Sequence, residues 1–245
     1  MPTILLTGFG PFPGAPDNPS GQIARKLAAT RRPAFAGTTR IAHVFTTTYA
    51  AIDQQLPALI LRHRPDAIVM FGLSARTKHV RIELQARNRL LTLFPDAAGF
   101  SPQKQTICGP GPAFLRGRAP FARLLAAARS SGMATALSRN AGSYVCNYCY
   151  WRAVDGAVLP ELPRVIVFVH VPKTRSRARP ASRSGQCPPS LADLVKAGEA
   201  VLAAVVAGLR GPRLALPQLK RCSGDEPIGD FCRVTAPKSA AAGSG

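Results

Sequence analysis

Three residues of this chain have types and settings that could do covalent chemistry. Cys146 lies in the stretch NAGSYVCNY, residues 140–148, where a short strand gives way to a helix-like segment. A thiol in the first turn of a helix feels the positive end of the dipole and unpaired main-chain amides, and both favour thiolate. His170 ends the apolar run VIVFVHV just before Pro172. An imidazole at a strand end can face a crevice, take the proton of a cysteine and later give it to a leaving amine. Glu83 sits in the alternating segment VRIELQA. If it points inward, its carboxylate can fix the tautomer of His170 and stabilise the cation, completing a triad.

Each residue type also fits a plainer role. A cysteine in an apolar helix can be small core filling, a strand-end histidine can be structural, and an acid flanked by arginines can belong to a surface ion pair. Cys146 and Cys149 also form C-x-x-C, a pattern compatible with a redox dithiol or half a zinc site. A zinc site needs a second pair, and the spacing of Cys222 and Cys232 does not offer one.

The elements that must position these groups follow from periodicity. PTILLTG, GQIARKLAAT after Asn18-Pro19-Ser20, RIAHVFTTTY, AAIDQQLPALILRHR and DAIVMFGLS read as strand, helix, strand, helix, strand. The alternation predicts an α/β fold: a single open, mostly parallel twisted sheet with helices on both faces. His79 to Arg87 reads as a further strand, parallel or antiparallel, and residues 88–120 as a glycine- and proline-rich loop or flap with at most short strands. A helix over Ala119–Ser131, a short strand ATALS, a helix SYVCNYCYWRAVDGA and the strand Arg164–Val171 follow. The last helix is SLADLVKAGEAVLAAVVAGL with Ser190 as its cap. We expect one domain over residues 1–211 and a partly disordered, proline- and charge-rich tail over 212–245. In a parallel sheet, ligands gather at the carboxyl ends of strands, which favours residues just beyond such runs.

TGFGPFPG, Thr7 to Gly14, looks like the start of a dinucleotide loop. Pro13 stands where the third glycine is needed, Gly14 comes one residue late, and no Asp or Glu occurs between Thr30 and Arg40 to hold a ribose. The stretch therefore argues against a nicotinamide cofactor and turns attention to Phe9 and Phe12.

Composition bounds the rest. The 245 residues, 46% apolar, can fill a single core. No window approaches the roughly 18 unbroken apolar residues of a membrane span, and no basic n-region precedes a long apolar run at the amino terminus. We expect a soluble, cytoplasmic protein with no membrane partner and six free cysteines. The formal charge of +20 would suit nucleic acid. Its densest run, Pro172 to Gln186, has five basic residues, no acid and no aromatic to stack a base, which argues for a loop rather than a nucleic-acid surface.

Taken in order, TGFGPF, NPS, GLSARTKHVRIELQARN, FPDAAGFSP, SRNAGSYVCNYCY and VFVHVP resemble the blocks of pyroglutamyl peptidases, which are cysteine exopeptidases. The resemblance runs from Pro2 to about Leu209. It implies Cys146 as nucleophile, His170 as base, Glu83 as orienting acid, and Phe9 and Phe12 as walls of an apolar slot for a five-membered lactam. The implied substrates are peptides with an amino-terminal pyroglutamyl residue, cleaved through a thioacyl enzyme with main-chain amides near Cys146 as oxyanion donors. No metal or organic cofactor enters that scheme, and the family includes both monomers and tetramers. Two departures stand out: Leu93 and Leu84 occupy places where family members often carry arginine. Arg76, Lys78, Arg81, Arg87 and Arg89 crowd the Glu83 region, which should depress its pKa, oppose an imidazolium and favour thiolate. The alternatives are a divergent or inactive paralogue acting on another small acyl amide and a basic nucleic-acid-binding module.

Overall fold

The computed structural model describes residues 1–12, 14–155, 163–175 and 188–211. Most of the basic run after His170 and the whole expected tail lie outside these residues. The strands are β1 (Thr3–Phe9), β2 (Thr39–Phe45), β3 (Ala67–Leu73), β4 (Val80–Glu83), β5 (Gln85–Arg87), β6 (Phe114–Arg116), β7 (Thr135–Ser138) and β8 (Val165–Val171). The helices are α1 (Ser20–Ala29), α2 (Tyr49–His63), α3 (Phe121–Ser130), α4 (Val145–Asp155) and α5 (Leu191–Arg210), with a single 3-10 turn at Pro33–Phe35. Six strands make one sheet in the order β2-β1-β3-β8-β4-β7. All its pairings are parallel except β4 with β8.

The sequence pattern explains this order. AIVMFGL of β3 and VIVFVHV of β8 are buried along their whole length, as central strands covered on both faces must be. Period-two alternation then divides the core. Ile4, Leu6, Val69, Phe71, Val167 and Val169 meet α1, α3 and α5 on one face. Leu5, Phe9, Ile68, Met70, Ile166 and Phe168 meet α2 and α4 on the other. Local signals set the helix starts. The Thr48 hydroxyl accepts from the Ala51 amide at α2, and Ser190 with Asp193 forms a capping box at α5.

The segment His79–Arg87 does not form one continuous strand. Leu84 separates β4, in the main sheet, from β5, which pairs with β6 in a second, two-stranded sheet. The break has a tertiary cause: the Leu84 amide donates to Ser138 O while its carbonyl accepts from Gly117 N. Among the described residues no helix is long and apolar enough to cross a membrane.

Candidate active site

β8 turns Ile166, Phe168 and His170 toward the α2/α4 face, β4 turns Arg81 and Glu83 there, and β3 contributes Gly72. The register places His170 opposite Gly72 on one side and Arg81 on the other. His170 Nδ1 lies 2.9 Å from Glu83 Oε1. Both side chains are buried, Glu83 at 0% exposure and His170 at 6%. The His170 ring also packs on Phe168, with centroids 4.8 Å apart.

Cys146 reaches this place from the first turn of α4 and remains partly exposed. A β-carbon added to Gly72 would stand 2.9 Å from Cys146 Sγ and 2.7 Å from the Phe168 ring. The sulfur therefore rests on the bare main chain of the residue paired with His170. The structure brings Cys146, His170 and Glu83 together on one sheet face although they are far apart in the chain.

Electrostatics at the sulfur differ from the sequence expectation. Burial, with the Glu83 charge adding, pushes the Cys146 thiol up to about 12, and its own main-chain amide opposes this only weakly. Loss of hydration outweighs the helix-start effect. Burial would also raise Glu83, but the hydrogen bond and charge of His170, the nearby Ser138 hydroxyl and the Arg81 guanidinium prevail, holding the carboxyl below its usual value.

The two phenylalanines part company. Phe9 is 1% exposed and packs between Phe45 and Phe168, at centroid distances of 6.0 and 6.3 Å, so it underlies the site. Phe12 keeps some exposure and lies 6.0 Å from the ring of Tyr144, two residues before Cys146. Tyr144 also contacts Tyr49 and donates from its hydroxyl to Pro95 O. Phe12 from the first loop, Tyr144 just before α4 and Tyr49 at the start of α2 thus form an aromatic wall beside the sulfur, tied to the flap by the Tyr144 hydroxyl.

The glycines and the NPS triplet of the opening motif serve close packing. A β-carbon on Gly8 would meet Ser20 O at 2.4 Å, so α1 can lie on β1 only over a bare α-carbon. Asn18 Nδ2 donates to Gly10 O, Ser20 Oγ accepts from the Phe9 amide, and Asn18 Oδ1 accepts from both the amide and the hydroxyl of Ser20.

Of the cations expected to crowd Glu83, Arg81 meets it directly, while Asn147 and Tyr150 belong to the site without having been singled out from the sequence. Arg81 Nη2 lies 3.1 Å from Glu83 Oε1 and also reaches Ser138 Oγ and Asn140 O. Its i, i+2 relation to Glu83 was the available signal. Asn147 stitches α4 to the strand end beyond Glu83, accepting from Arg87 N and donating to Arg87 O and Arg89 O. The Tyr150 hydroxyl, one turn after Cys146, donates to the main-chain oxygen of Glu83. Among the described residues no group of three or more His, Cys, Asp or Glu side chains could hold a metal ion.

The model of the family described as pyroglutamyl peptidase matches residues 2–211. The chain belongs to that family. Its relatives include the pyrrolidone-carboxylate peptidase of Deinococcus radiodurans, 35% identical over 70% of this chain and 78% of the relative. That of Clavibacter michiganensis is 30% identical over 80% of this chain and 92% of the relative. The crystal structure of Bacillus amyloliquefaciens pyroglutamyl peptidase I is similar at 25% identity and a TM-score of 0.73, covering 84% of this chain and 98% of that one. The pyrrolidone carboxyl peptidase from Thermococcus litoralis, at 23% identity, shares the fold with a TM-score of 0.75 over 89% of this chain and all of the other. As a pyroglutamyl peptidase, the protein is a cysteine-type omega-peptidase.

Proposed function

We propose that the protein removes amino-terminal pyroglutamate from peptides, with Cys146 as nucleophile, His170 as acid and base, and Glu83 as the group that orients His170. The observation that carries this reading is the 2.9 Å contact between His170 Nδ1 and Glu83 Oε1 beside Cys146. With Nδ1–H donating to the carboxylate, Nε2 presents a lone pair and can act as the base.

A thiol raised to about 12 stays protonated at neutral pH in the resting enzyme. Its proton passes to His170 Nε2 as the sulfur attacks the carbonyl carbon joining pyroglutamate to the next residue. The carbon–nitrogen bond then breaks, His170 gives that proton to the leaving amine, and a thioacyl enzyme remains. Water attacks next, losing a proton to His170; the carbon–sulfur bond breaks, and the proton returns to sulfur as free pyroglutamate leaves. Negative charge on the carbonyl oxygen in both steps falls to main-chain amides at the start of α4. The reaction consumes only peptide and water. A flat, neutral lactam without a free amine suits the aromatic wall of Phe12, Tyr144 and Tyr49 better than a charged residue would.

The test is hydrolysis of a fluorogenic pyroglutamyl amide by the wild-type protein, Cys146→Ala and His170→Ala. We expect turnover in the wild type alone. Turnover that survives Cys146→Ala removes the nucleophile assignment. A wild type that ignores this amide but cleaves another small acyl amide points to a divergent specificity. Steeply salt-dependent nucleic-acid binding without amidase activity replaces the peptidase reading by a binding one.

A further inference from the structure

Glu83 must remain ionised and correctly aimed while wholly buried, and the burial of a carboxylate costs several kcal/mol unless partners compensate. One of its oxygens, Oε1, serves two partners: His170 Nδ1 at 2.9 Å and Arg81 Nη2 at 3.1 Å. The other, Oε2, makes no hydrogen bond among the described residues. Arg81 is itself anchored, since the same nitrogen reaches Ser138 Oγ and Asn140 O. Asn140 in turn accepts at Oδ1 from the Gly142 amide, in the segment that leads into α4 and Cys146.

We infer that Arg81 is a positioning residue for the reaction: it locks Glu83 in place and ties the acid to the segment carrying the nucleophile. The inference rests on the proposed roles of Cys146, His170 and Glu83. Strand alternation along β4 turns residue 81 to the same face as Glu83. Arg81 stands two residues before Glu83 on β4, and its Nη2 sits among the Glu83 carboxylate and two further acceptors, Ser138 Oγ and Asn140 O.

The arrangement carries a cost for catalysis. Arg81 draws on the same oxygen that must stabilise the His170 cation, so it disfavours proton uptake by the imidazole. The groups facing Glu83 are His170 on β8, Arg81 on β4, Ser138 on β7, and Cys146 and Tyr150 on α4. Arg81 is the permanent cation among those side chains, and its removal should let His170 hold a proton more readily.

The experiment compares wild type, Arg81→Met and Arg81→Lys by kcat, KM and the pH profile of kcat/KM, together with NMR titration of the His170 ring. The ring signal is assigned by its loss in His170→Ala. In Arg81→Met we expect kcat to fall roughly tenfold to a hundredfold with KM nearly unchanged. The acid limb and the NMR midpoint should move upward. Arg81→Lys keeps a charge on a shorter side chain whose Nζ falls short of the place Nη2 holds among Glu83, Ser138 and Asn140, so its acid limb should stay near that of the wild type while kcat still falls. Should Arg81→Met fail to fold, Arg81→Lys decides, and wild-type kcat in that variant overturns the inference. Unchanged kcat, limb and midpoint in folded Arg81→Met overturn it as well. An inactive wild type would defeat the proposed function instead, and the His170 midpoints would still report whether Arg81 acts on the pair.

Discussion

Gly72 and His170 face each other across the β3–β8 ladder, and Cys146 Sγ rests against the bare α-carbon of that glycine. A methyl group there would be held within 2.9 Å of the sulfur and 2.7 Å of the Phe168 ring, closer than van der Waals contact allows. Gly72→Ala should therefore push the sulfur off its seat and shift the ring that supports His170. Overpacking of this kind costs about 1–3 kcal/mol, and misplacing a reacting atom by an ångström can cost about a hundredfold in rate. We expect a lower Tm and a kcat reduced by more than tenfold. Wild-type Tm and kcat in Gly72→Ala would show that the sulfur sits elsewhere.

The Glu83 carboxyl is held below its ordinary value of 4.5 when folded. A group depressed by folding stabilises the protein at pH values above its unfolded pKa, and that stability is lost as pH falls through the lower folded value. Tm of the wild type should thus drop as pH falls from about 4.5. Glu83→Gln lacks this titration, so its Tm should fall less steeply across the same window, measured by thermal denaturation. At neutral pH the same variant should lose about 10²-fold or more in kcat, because the imidazole no longer has an anion to orient and stabilise it. Parallel Tm curves in the two proteins would contradict the depressed carboxyl.

These two relationships mark what the sequence discloses and what it withholds. β3 and β8 are legible because unbroken apolar runs such as AIVMFGL and VIVFVHV have few other stable arrangements. Period two then puts Arg81 and Glu83 on one face of β4, and the β4–β8 register makes it the face of His170. The break at Leu84 was not legible, since its cause is Gly117 and Ser138, contributed by other parts of the chain. The raised thiol is hidden from the sequence for a similar reason: the helix start is local and visible, whereas the burial that outweighs it comes from packing. Phe9 and Phe12 look equivalent in GFGPF, yet only their places at the end of β1 and beyond it make one buried and the other partly open.

The first loop owes its shape to Asn18, whose side chain meets Gly10 O, Ser20 N and Ser20 Oγ at once. Asn18→Ala takes the acceptor from the buried Ser20 amide, removes one partner of the Ser20 hydroxyl and leaves Gly10 O with the Thr47 hydroxyl alone, and a buried group left unsatisfied costs about 1–3 kcal/mol. Phe12 would lose its fixed position opposite Tyr144, while the contact of His170 with Glu83 lies on other strands and is untouched. The expected result is a KM for the pyroglutamyl amide raised several-fold with kcat nearly unchanged. A fall in kcat at constant KM would argue instead that this loop supports the reacting groups.

Cys146 and Cys149 stand three residues apart on α4, so their spacing alone leaves a dithiol mechanism open. Their surroundings separate them. Cys149 is fully buried, its sulfur 3.9 Å from Met70 Sδ, and burial raises its thiol well above the ordinary range. Exchange chemistry needs an accessible thiolate, and Cys149 offers neither access nor charge. Cys149→Ser should keep kcat within about threefold of the wild type, although a hydroxyl in this apolar site should lower stability by about 1–3 kcal/mol. Cys149→Ala separates the two effects by removing the thiol without adding a buried hydroxyl. Kinetics under reducing conditions, corrected for the folded fraction, provide the check. If both variants fold and both lose turnover, the second sulfur takes part in the chemistry and the single-thiol mechanism fails.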